Sequence, residues 1–207
     1  MAGTPQPPPE VAAYYDAFAE EDRLARAAVL VLGPLYHLTE PQDRLTALRE
    51  ARRIVAPGGV VVAAAISRYA SALAGLVQKL TLDPRFVEIR NRDLATGEHR
   101  NDTGRIEYFT TAYFHRPEEL RAEFERAGFG DVQVLGVEGL GEWLTDFDER
   151  WADPALRYDV LDVARRLEAE PSIVGMSAHL LAVGRRNTAT GGPSKADPRA
   201  SPDSVTS

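Results

Sequence analysis

Two continuous apolar runs stand out in the first third of the chain. Val29 to Gly33 ("VLVLG") and Val60 to Ile66 ("VVVAAAI") are apolar at consecutive rather than alternate positions. This pattern is typical of strands that are covered on both faces in a parallel sheet. We therefore predict two buried strands, the first from Val29 to Leu32 and the second from Val60 to Ile66.

The segment between the two runs has the periodicity of a helix. Thr39 and Gln42 form a capping-box pair, and the sequence "PGG" at 57–59 is a stop signal. Apolar side chains recur at helical spacing between them: Leu45, Leu48, Ala51, Ile54 and Val55. The sequence predicts a strand–helix–strand unit whose two strands are parallel and joined by a right-handed crossover.

The rest of the chain continues the alternation of helices and strands. Pro117 followed by Glu118 and Glu119, with Gly128 at the far end, marks a helix with a clear beginning and end. The other predictions are a helix over 67–82, a polar excursion or hairpin over 83–111, a strand over 131–139, a mostly helical stretch over 141–169 and a final strand over 179–186.

The two ends differ in composition from the middle. Residues 1–9 and 187–207 are rich in Pro, Gly, Ser and Thr, and such segments bury too little apolar surface to offset their ordering entropy. We expect both tails to be disordered and one domain to span 10–186. Glu10 to Ala28 has a helical pattern that meets the first strand at Ala27 and Ala28 with no loop residues between them.

Composition excludes several classes of function. The 207 residues include 24 Lys and Arg against 31 Asp and Glu, a net charge of -7 that argues against a nucleic-acid partner. The chain has no cysteine, and its four histidines are scattered, so we expect no metal site. The apolar runs are far shorter than the roughly 20 residues of a membrane span, so we expect a cytoplasmic protein that does not bind membranes.

Four motifs in this order resemble a known family. They are "GPLYHL" after the first strand, "ALREARRIVAPGG" before the second, and "RPEELRAEFERAGFGDVQVLGVEG" followed by "SAHLLAVGRR". The sequence resembles the C-terminal half of class I S-adenosylmethionine (SAM)-dependent methyltransferases, and "YYDAFAEEDRL" resembles their N-terminal helix. The resemblance implies an α/β, Rossmann-like sheet with a final antiparallel hairpin, SAM as cofactor and methyl transfer to a small-molecule acceptor.

One segment of the family pattern is missing from the sequence. No stretch before Val29 matches the glycine-rich turn of the first strand or the acidic residue that holds the ribose of the cofactor. At roughly 30 residues per βα unit, the gap amounts to about 80 to 90 residues. We therefore expect an incomplete sheet, the C-terminal half plus an N-terminal helix, with an internal deletion near Ala27 and Ala28.

The resemblance also implies cofactor-binding residues. These are Tyr14 and Tyr15 on the N-terminal helix, and Gly33, Pro34, Leu35 and His37 in the loop after the first strand. His37 is also a candidate catalytic base. The alternatives are aromatic core packing for the two tyrosines and, for the loop, a turn in which Leu35 and Leu38 pack on the core.

Candidate contacts with the acceptor follow from position in the sheet. Arg68 and Tyr69 leave the carboxyl end of the second strand, where open α/β sheets bind ligands. Tyr113 and His115 precede a helix N-terminus, and Glu138 follows a strand as a partner for an amine. The alternatives are a surface ion pair for Arg68 and packing at a helix boundary for His115. His99 and His179 receive no role.

Three functions compete at this point. The first is a methyltransferase acting on a small molecule. The second is a non-catalytic pseudoenzyme or fragment that self-associates into a homo-oligomer, because the deletion would leave the strand over 29–32 as an apolar edge. The third is half of a nucleotide-binding oxidoreductase, which shares the fold but also needs the missing glycine loop.

Overall fold

The computed structural model describes residues 26–188, which form a mixed α/β fold. Its strands are β1 (Arg26–Val31), β2 (Val55–Ser67), β3 (Glu98–His99), β4 (Ala112–His115), β5 (Gly130–Gly136) and β6 (His179–Arg185). Its helices are α1 (Pro34–His37), α2 (Pro41–Ile54), α3 (Ala70–Val77), α4 (Pro84–Thr96), α5 (Pro117–Arg126), α6 (Phe147–Ala152) and α7 (Pro154–Leu167). The stretches predicted to be helical over 141–169 and to be strands over 131–139 and 179–186 are confirmed with small shifts.

The strands form one sheet around the long strand β2. β1 pairs with β2 in parallel, β6 pairs with the other side of β2 in antiparallel, and β5 pairs with β6 in antiparallel. Ile66 of β2 lies opposite both Phe114 of β4 and His179 of β6, so β4 extends the β1 side of the sheet. Parallel β1 and β2 and the final antiparallel hairpin confirm the predicted fold class, an incomplete Rossmann-like sheet.

One face of the sheet is covered by α2 and α5. Leu48 of α2 and Leu120 and Phe124 of α5 are completely buried and pack against Val61 of β2. These helices are amphipathic, with apolar positions three and four residues apart on the side that meets the sheet. Leu30 of β1, whose side chain points to the opposite face, is 56% exposed.

The first strand begins earlier than the sequence indicates. β1 starts at Arg26, opposite Val55, so Ala27 and Ala28 are strand and not the end of a helix. Backbone pairing with β2 outweighs the helical propensity of the two alanines. The rest of the predicted helix, with Tyr14 and Tyr15, lies outside the described residues, as do the 1–9 tail and all but two residues of the 187–207 tail.

The predicted boundaries of α2 were wrong at both ends. The helix begins at Pro41 with Glu40 as its N-cap, so Thr39 and Gln42 do not form a capping box. It ends at Ile54, and Pro57 to Gly59 lie inside β2. Gly59 is needed there because a Cβ atom would stand 2.7 Å from the carbonyl oxygen of Ala27 on β1.

The polar stretch over 83–111 is the largest structural difference from the sequence prediction. It contains α4, which opens with Pro84 after the N-cap Asp83, whose carboxylate accepts a hydrogen bond from the Arg85 backbone N–H. The predicted hairpin is present only as the short antiparallel pair of β3 and β4. The helix predicted over 67–82 is shorter, because α3 ends at Val77.

Candidate active site at the carboxyl edge of the sheet

A cavity of about 380 Å³ opens where β2 and β4 end. Ile66 of β2, Phe114 of β4 and His179, the first residue of β6, form its floor. The remaining walls come from α1, α3, α4 and the loop before β4: Tyr36, Ala70, Ser71, Ala74, Gln78, Leu80, Phe86, His99, Glu107, Tyr108, Phe109 and Ala178. Open α/β sheets bind ligands at the carboxyl ends of their parallel strands, and this cavity, lined mainly by apolar and aromatic side chains, lies there.

Phe109 forms the part of the cavity wall with a strained backbone. Its φ of 65° and ψ of -170° lie in a region that residues other than glycine rarely adopt. The Asn101 side-chain amide donates to the Phe109 carbonyl oxygen at 2.6 Å and holds this conformation. The ring is thereby placed 6.2 Å from the His37 ring and 5.9 Å from the His99 ring.

The Asp83 carboxylate holds the loop that carries Phe109 through hydrogen bonds. Its Oδ2 accepts hydrogen bonds from Arg105 Nη1 and from the Tyr108 hydroxyl, each at 2.8 Å. The hydrogen bonds from the Arg85 side chain and backbone and from Tyr108 hold the pKa of Asp83 far below its usual range. The carboxylate therefore stays charged and fixes the loop that carries Tyr108 and Phe109.

His99 is built into the cavity wall. Its ring stacks on Phe114 at a centroid distance of 4.7 Å, and only 1% of the residue is exposed. Nε2 lies 2.7 Å from the Tyr108 carbonyl oxygen and Nδ1 lies 2.9 Å from Asp93 Oδ2. A carbonyl only accepts, so Nε2 carries a proton, and both ring nitrogens are engaged. His99 can shape a ligand's position but has no nitrogen left for proton transfer.

A buried ionic network lies behind the cavity. Arg44 Nε pairs with Glu123 Oε1 at 2.9 Å, and Arg44 Nη1 donates to the carbonyl oxygens of Leu38 and Thr39, each at 2.8 Å. His115 Nε2 lies 3.2 Å from Glu123 Oε2. His115 is completely buried, and burial lowers the pKa of its imidazole.

The second half of this network contains two other residues predicted to bind the acceptor. Arg68 is 2% exposed and donates from Nη2 to Glu119 Oε2 at 2.6 Å and to the Tyr113 hydroxyl at 3.2 Å. The Tyr113 ring lies 3.7 Å from the guanidinium carbon of Arg44. The structure thus brings Arg68, Tyr113 and His115 together, but as an internal network and not as lining of the cavity.

The loop after β1 divides into buried and exposed residues. Leu35 is completely buried in the core, and Leu38 is 5% exposed, as the alternative interpretation of this loop predicts. His37 is exposed, and its Nδ1 lies 3.5 Å from the Thr111 carbonyl oxygen. Tyr36 of the same loop lines the cavity, whereas Gly33, Pro34, Leu35 and His37 do not.

Glu138 and His179 form a pair at the edge of the cavity. Glu138 Oε1 lies 2.5 Å from His179 Nδ1, and Glu138 Oε2 accepts from the His179 backbone N–H at 2.9 Å. Burial raises the pKa of Glu138, but the hydrogen bonds from His179 outweigh it and the pKa is lowered. Tyr69, predicted beside Arg68, is 37% exposed, with its ring next to Gly175.

Acidic side chains are scarce in the cavity wall. Glu107 is the only carboxylate residue in the cavity wall, and the loop after β1 turns Leu35 into the core and carries no acidic side chain before Glu40. Apart from Glu107, neither this wall nor this loop offers a carboxylate in place of the ribose-binding residue that the resemblance implies. Within that range no group of three or more His, Asp or Glu residues is placed to hold a metal ion, and no helix has the length and apolarity to span a bilayer.

Comparisons with known proteins point to one group of solved structures. A SAM-dependent methyltransferase from Methanosarcina mazei is 12% identical, over 79% of this chain and 60% of its own, with a TM-score of 0.44. One from Archaeoglobus fulgidus is 15% identical, over 84% and 64%, with a TM-score of 0.39. A Thermotoga maritima protein described as a possible histamine N-methyltransferase is 17% identical, over 78% and 56%, with a TM-score of 0.39.

The chain spans less than two thirds of the length of these three structures. No protein-family model matches the chain, and no curated protein matches it.

Proposed function

We propose that this chain carries the acceptor-binding half of a SAM-dependent methyltransferase that acts on a small planar molecule. The observation that supports this proposal is the cavity at the carboxyl ends of β2 and β4, the edge at which open α/β sheets bind ligands and at which the sequence predicts contacts with the acceptor. Its rings, including Tyr36, Phe86 and Phe109, offer flat apolar contacts to an aromatic ligand. The cofactor contacts would come from outside residues 26–188, where Tyr14 and Tyr15 lie.

The acceptor part of the proposal is tested by equilibrium dialysis with 4-nitrophenol as the probe. Ala74→Phe places a ring inside the cavity and is expected to abolish binding while leaving the circular dichroism spectrum unchanged. Ala152→Phe, at an exposed position on α6, is the matched control and should bind as the unsubstituted protein does. Equal binding by the Ala74→Phe protein and the control would contradict the proposal.

The cofactor part is tested separately by thermal denaturation with SAM and with S-adenosylhomocysteine. A ligand that binds the folded state alone stabilises it by about 2.7 kcal/mol at 100 times its Kd. For a chain of this size, that corresponds to a rise in Tm of several degrees. A Tm that does not move at millimolar SAM would reject the cofactor part and leave the acceptor cavity as a binding site.

The exposed side of β1 supports a second candidate function, self-association. Among residues 26–188, β1 pairs only with β2, and Leu30 and Leu32 are 56% and 55% exposed. A free edge with apolar side chains is a template for pairing with another chain. Light scattering at high concentration should then show dimers that Leu30→Glu dissociates and Leu156→Glu, on α7, does not. A monomer at every concentration would exclude this candidate.

A further inference from the structure

We propose that a cavity against α7 is a second binding site, which takes a neutral aliphatic molecule carrying one carbonyl oxygen. This cavity lies between α7 and the segments before and after that helix, and it shares no lining residue with the cavity at the carboxyl ends of β2 and β4. The proposal therefore does not depend on the methyltransferase function.

The helix α7 has an apolar side that the rest of the described protein covers only in part. None of its 14 residues is buried, and Leu156, Leu161 and Val163 are exposed. A helix of this length owes most of its stability to the packing of its apolar side. The incomplete cover leaves room for a ligand between α7 and the end of β5.

This room is a cavity of about 240 Å³ with aliphatic walls. Its apolar side chains include Leu144, Val160, Leu167, Ile173, Val174 and Met176. None of the described residues that line it is aromatic, in contrast to the cavity at the carboxyl ends of β2 and β4. An apolar cavity of about 150 Å³ is enough to hold benzene, so this one has room for a chain of about nine or ten non-hydrogen atoms.

Ser177 supplies a hydrogen-bond donor to the aliphatic wall. The residue lines the cavity and is 1% exposed. Its Oγ accepts a hydrogen bond at 2.8 Å from the backbone N–H of Gly139, which lines the same cavity. Among residues 26–188 the Ser177 hydroxyl has no acceptor for its own proton. Because a buried donor without an acceptor is costly, a ligand that offers an oxygen here gains a hydrogen bond.

The charges of the wall exclude an ionised head group. Asp159 and Glu168 line the cavity against a single cation, Arg150, which already pairs with Asp146 Oδ1 at 2.8 Å. A carboxylate ligand would meet this excess of negative charge. An ammonium ligand would offer no acceptor to Ser177, because its nitrogen only donates. A neutral carbonyl oxygen satisfies both conditions.

The test measures binding of 2-octanone to the full chain by headspace gas chromatography, which reports the free concentration of a volatile ligand. Ala164→Phe places a ring at the cavity wall and should abolish binding. Ala155→Phe, at an exposed position on the same helix and outside the cavity wall, is the matched control and should bind as the unsubstituted protein does.

The hydrogen bond to Ser177 is tested with a second ligand, 2-methyl-1-octene, in which a CH₂ group replaces the carbonyl oxygen. Ser177→Ala should weaken the binding of 2-octanone about fivefold, the factor that corresponds to roughly 1 kcal/mol for one hydrogen bond. It should leave the binding of 2-methyl-1-octene unchanged, and this comparison separates loss of the hydroxyl from a change in the fold.

Two further measurements use the unsubstituted protein. Octanoate and octylammonium, the charged chains, should not displace 2-octanone at neutral pH. Hydrogen exchange followed by mass spectrometry should show slower exchange in α7 when 2-octanone is bound, while α4, which borders the other cavity, exchanges as before.

Binding that is lost in Ala164→Phe, kept in Ala155→Phe and weakened for the ketone alone in Ser177→Ala supports the proposal. Binding lost in Ala74→Phe instead assigns the ketone to the other cavity and overturns the proposal. Absence of binding, displacement by octanoate, or equal weakening of ketone and alkene in Ser177→Ala also overturns it. None of these results changes the expected binding of 4-nitrophenol, so failure of this site is distinguishable from failure of the proposed function.

Discussion

Arg44 and Glu123 form an ion pair across the interior of the protein, with 2.9 Å between Nε and Oε1 and side chains only 2% and 3% exposed. The pair joins α2 to α5 between residues that are 79 positions apart. Glu123 also receives the hydrogen bond from His115, so the pair fixes the end of β4 as well. The helices that cover the sheet and the strand that ends at the cavity are thus held by one carboxylate.

Removal of one partner of this pair should destabilise the protein strongly. Glu123→Leu leaves the Arg44 charge buried without its partner, and we expect a loss of about 3–5 kcal/mol in the free energy of unfolding. Urea denaturation measures the effect. The double variant Arg44→Met with Glu123→Leu should recover most of that loss, and Asp162→Ala, which breaks an exposed pair with Arg166 on α7, should change little. A double variant as unstable as the single one would contradict this account.

Acidification should destabilise the fold through two buried groups. Burial lowers the pKa of His115 below its ordinary 6.5. Burial raises the pKa of Glu123, but the hydrogen bond and charge of His115 and the charge of Arg44 bring it below its ordinary 4.5. Both folded-state pKa values are depressed, so the unfolded state binds more protons as the pH falls below about 6.5, and stability decreases.

This pH dependence is measured by urea denaturation at a series of pH values. His115→Gln should remove the part of the decrease that begins near pH 6.5 and reduce the part that begins near pH 4.5, because His115 contributes to the lowered pKa of Glu123. His37→Gln, an exposed histidine, is the control and should keep both parts. A free energy of unfolding that stays constant between these two pH values would show that His115 does not titrate as described.

Because the backbone of Phe109 is strained, a glycine variant at this position should be more stable than an alanine variant. At φ 65° and ψ -170°, alanine keeps the strain and glycine relieves it, so Phe109→Gly should be more stable than Phe109→Ala by about 1 kcal/mol or more. Both should bind 4-nitrophenol more weakly, because both lose the ring at the cavity. At Leu76, an exposed helical position, the order should reverse, with glycine about 1 kcal/mol less stable than alanine. The same order at both positions would exclude strain at Phe109.

Loss of the Asp83 carboxylate should loosen one wall of the cavity. Asp83→Ala removes the acceptor shared by Arg105 and the Tyr108 hydroxyl. Hydrogen exchange followed by mass spectrometry should show faster exchange over 101–109, while β2 and β6 keep their protection. Asp162→Ala is the control. Unchanged exchange over 101–109 would mean that Asn101 holds the loop without Asp83.

The elements with strong local signals could be predicted from the sequence. The apolar runs predict β1 and β2 as strands, but the expected cover on both faces is wrong for β1, because Leu30 is 56% exposed. Pro117 with Gly128 marks α5, because proline restricts φ at a helix start and glycine adopts the backbone conformation that ends a helix. The helix α4 was not predicted, although Asp83 and Pro84 are a typical helix start. Most of its residues are polar or charged, and its apolar side is narrow, formed by Phe86 and Ile89.

None of the candidate site residues that the structure describes lines the cavity. The sequence places the site at the carboxyl ends of the strands, and the cavity is there. The residues selected for it follow strands in the chain, and Arg68 and His115 turn inwards to pair with Glu119 and Glu123. His179 begins a strand, and only an antiparallel strand brings its first residue to this edge.

The sequence by itself determined the main strands β1, β2, β5 and β6 and the helices α2 and α5, since hydrophobic periodicity is a local property. It also determined the parallel unit of β1 and β2, because the intervening helix requires a crossover. Only the tertiary structure decided which polar residues meet. Arg44 pairs with Glu123, and Glu138 with His179, across 79 and 41 residues. A charge that leaves water must find a partner wherever the fold places one, and sequence spacing does not record that position.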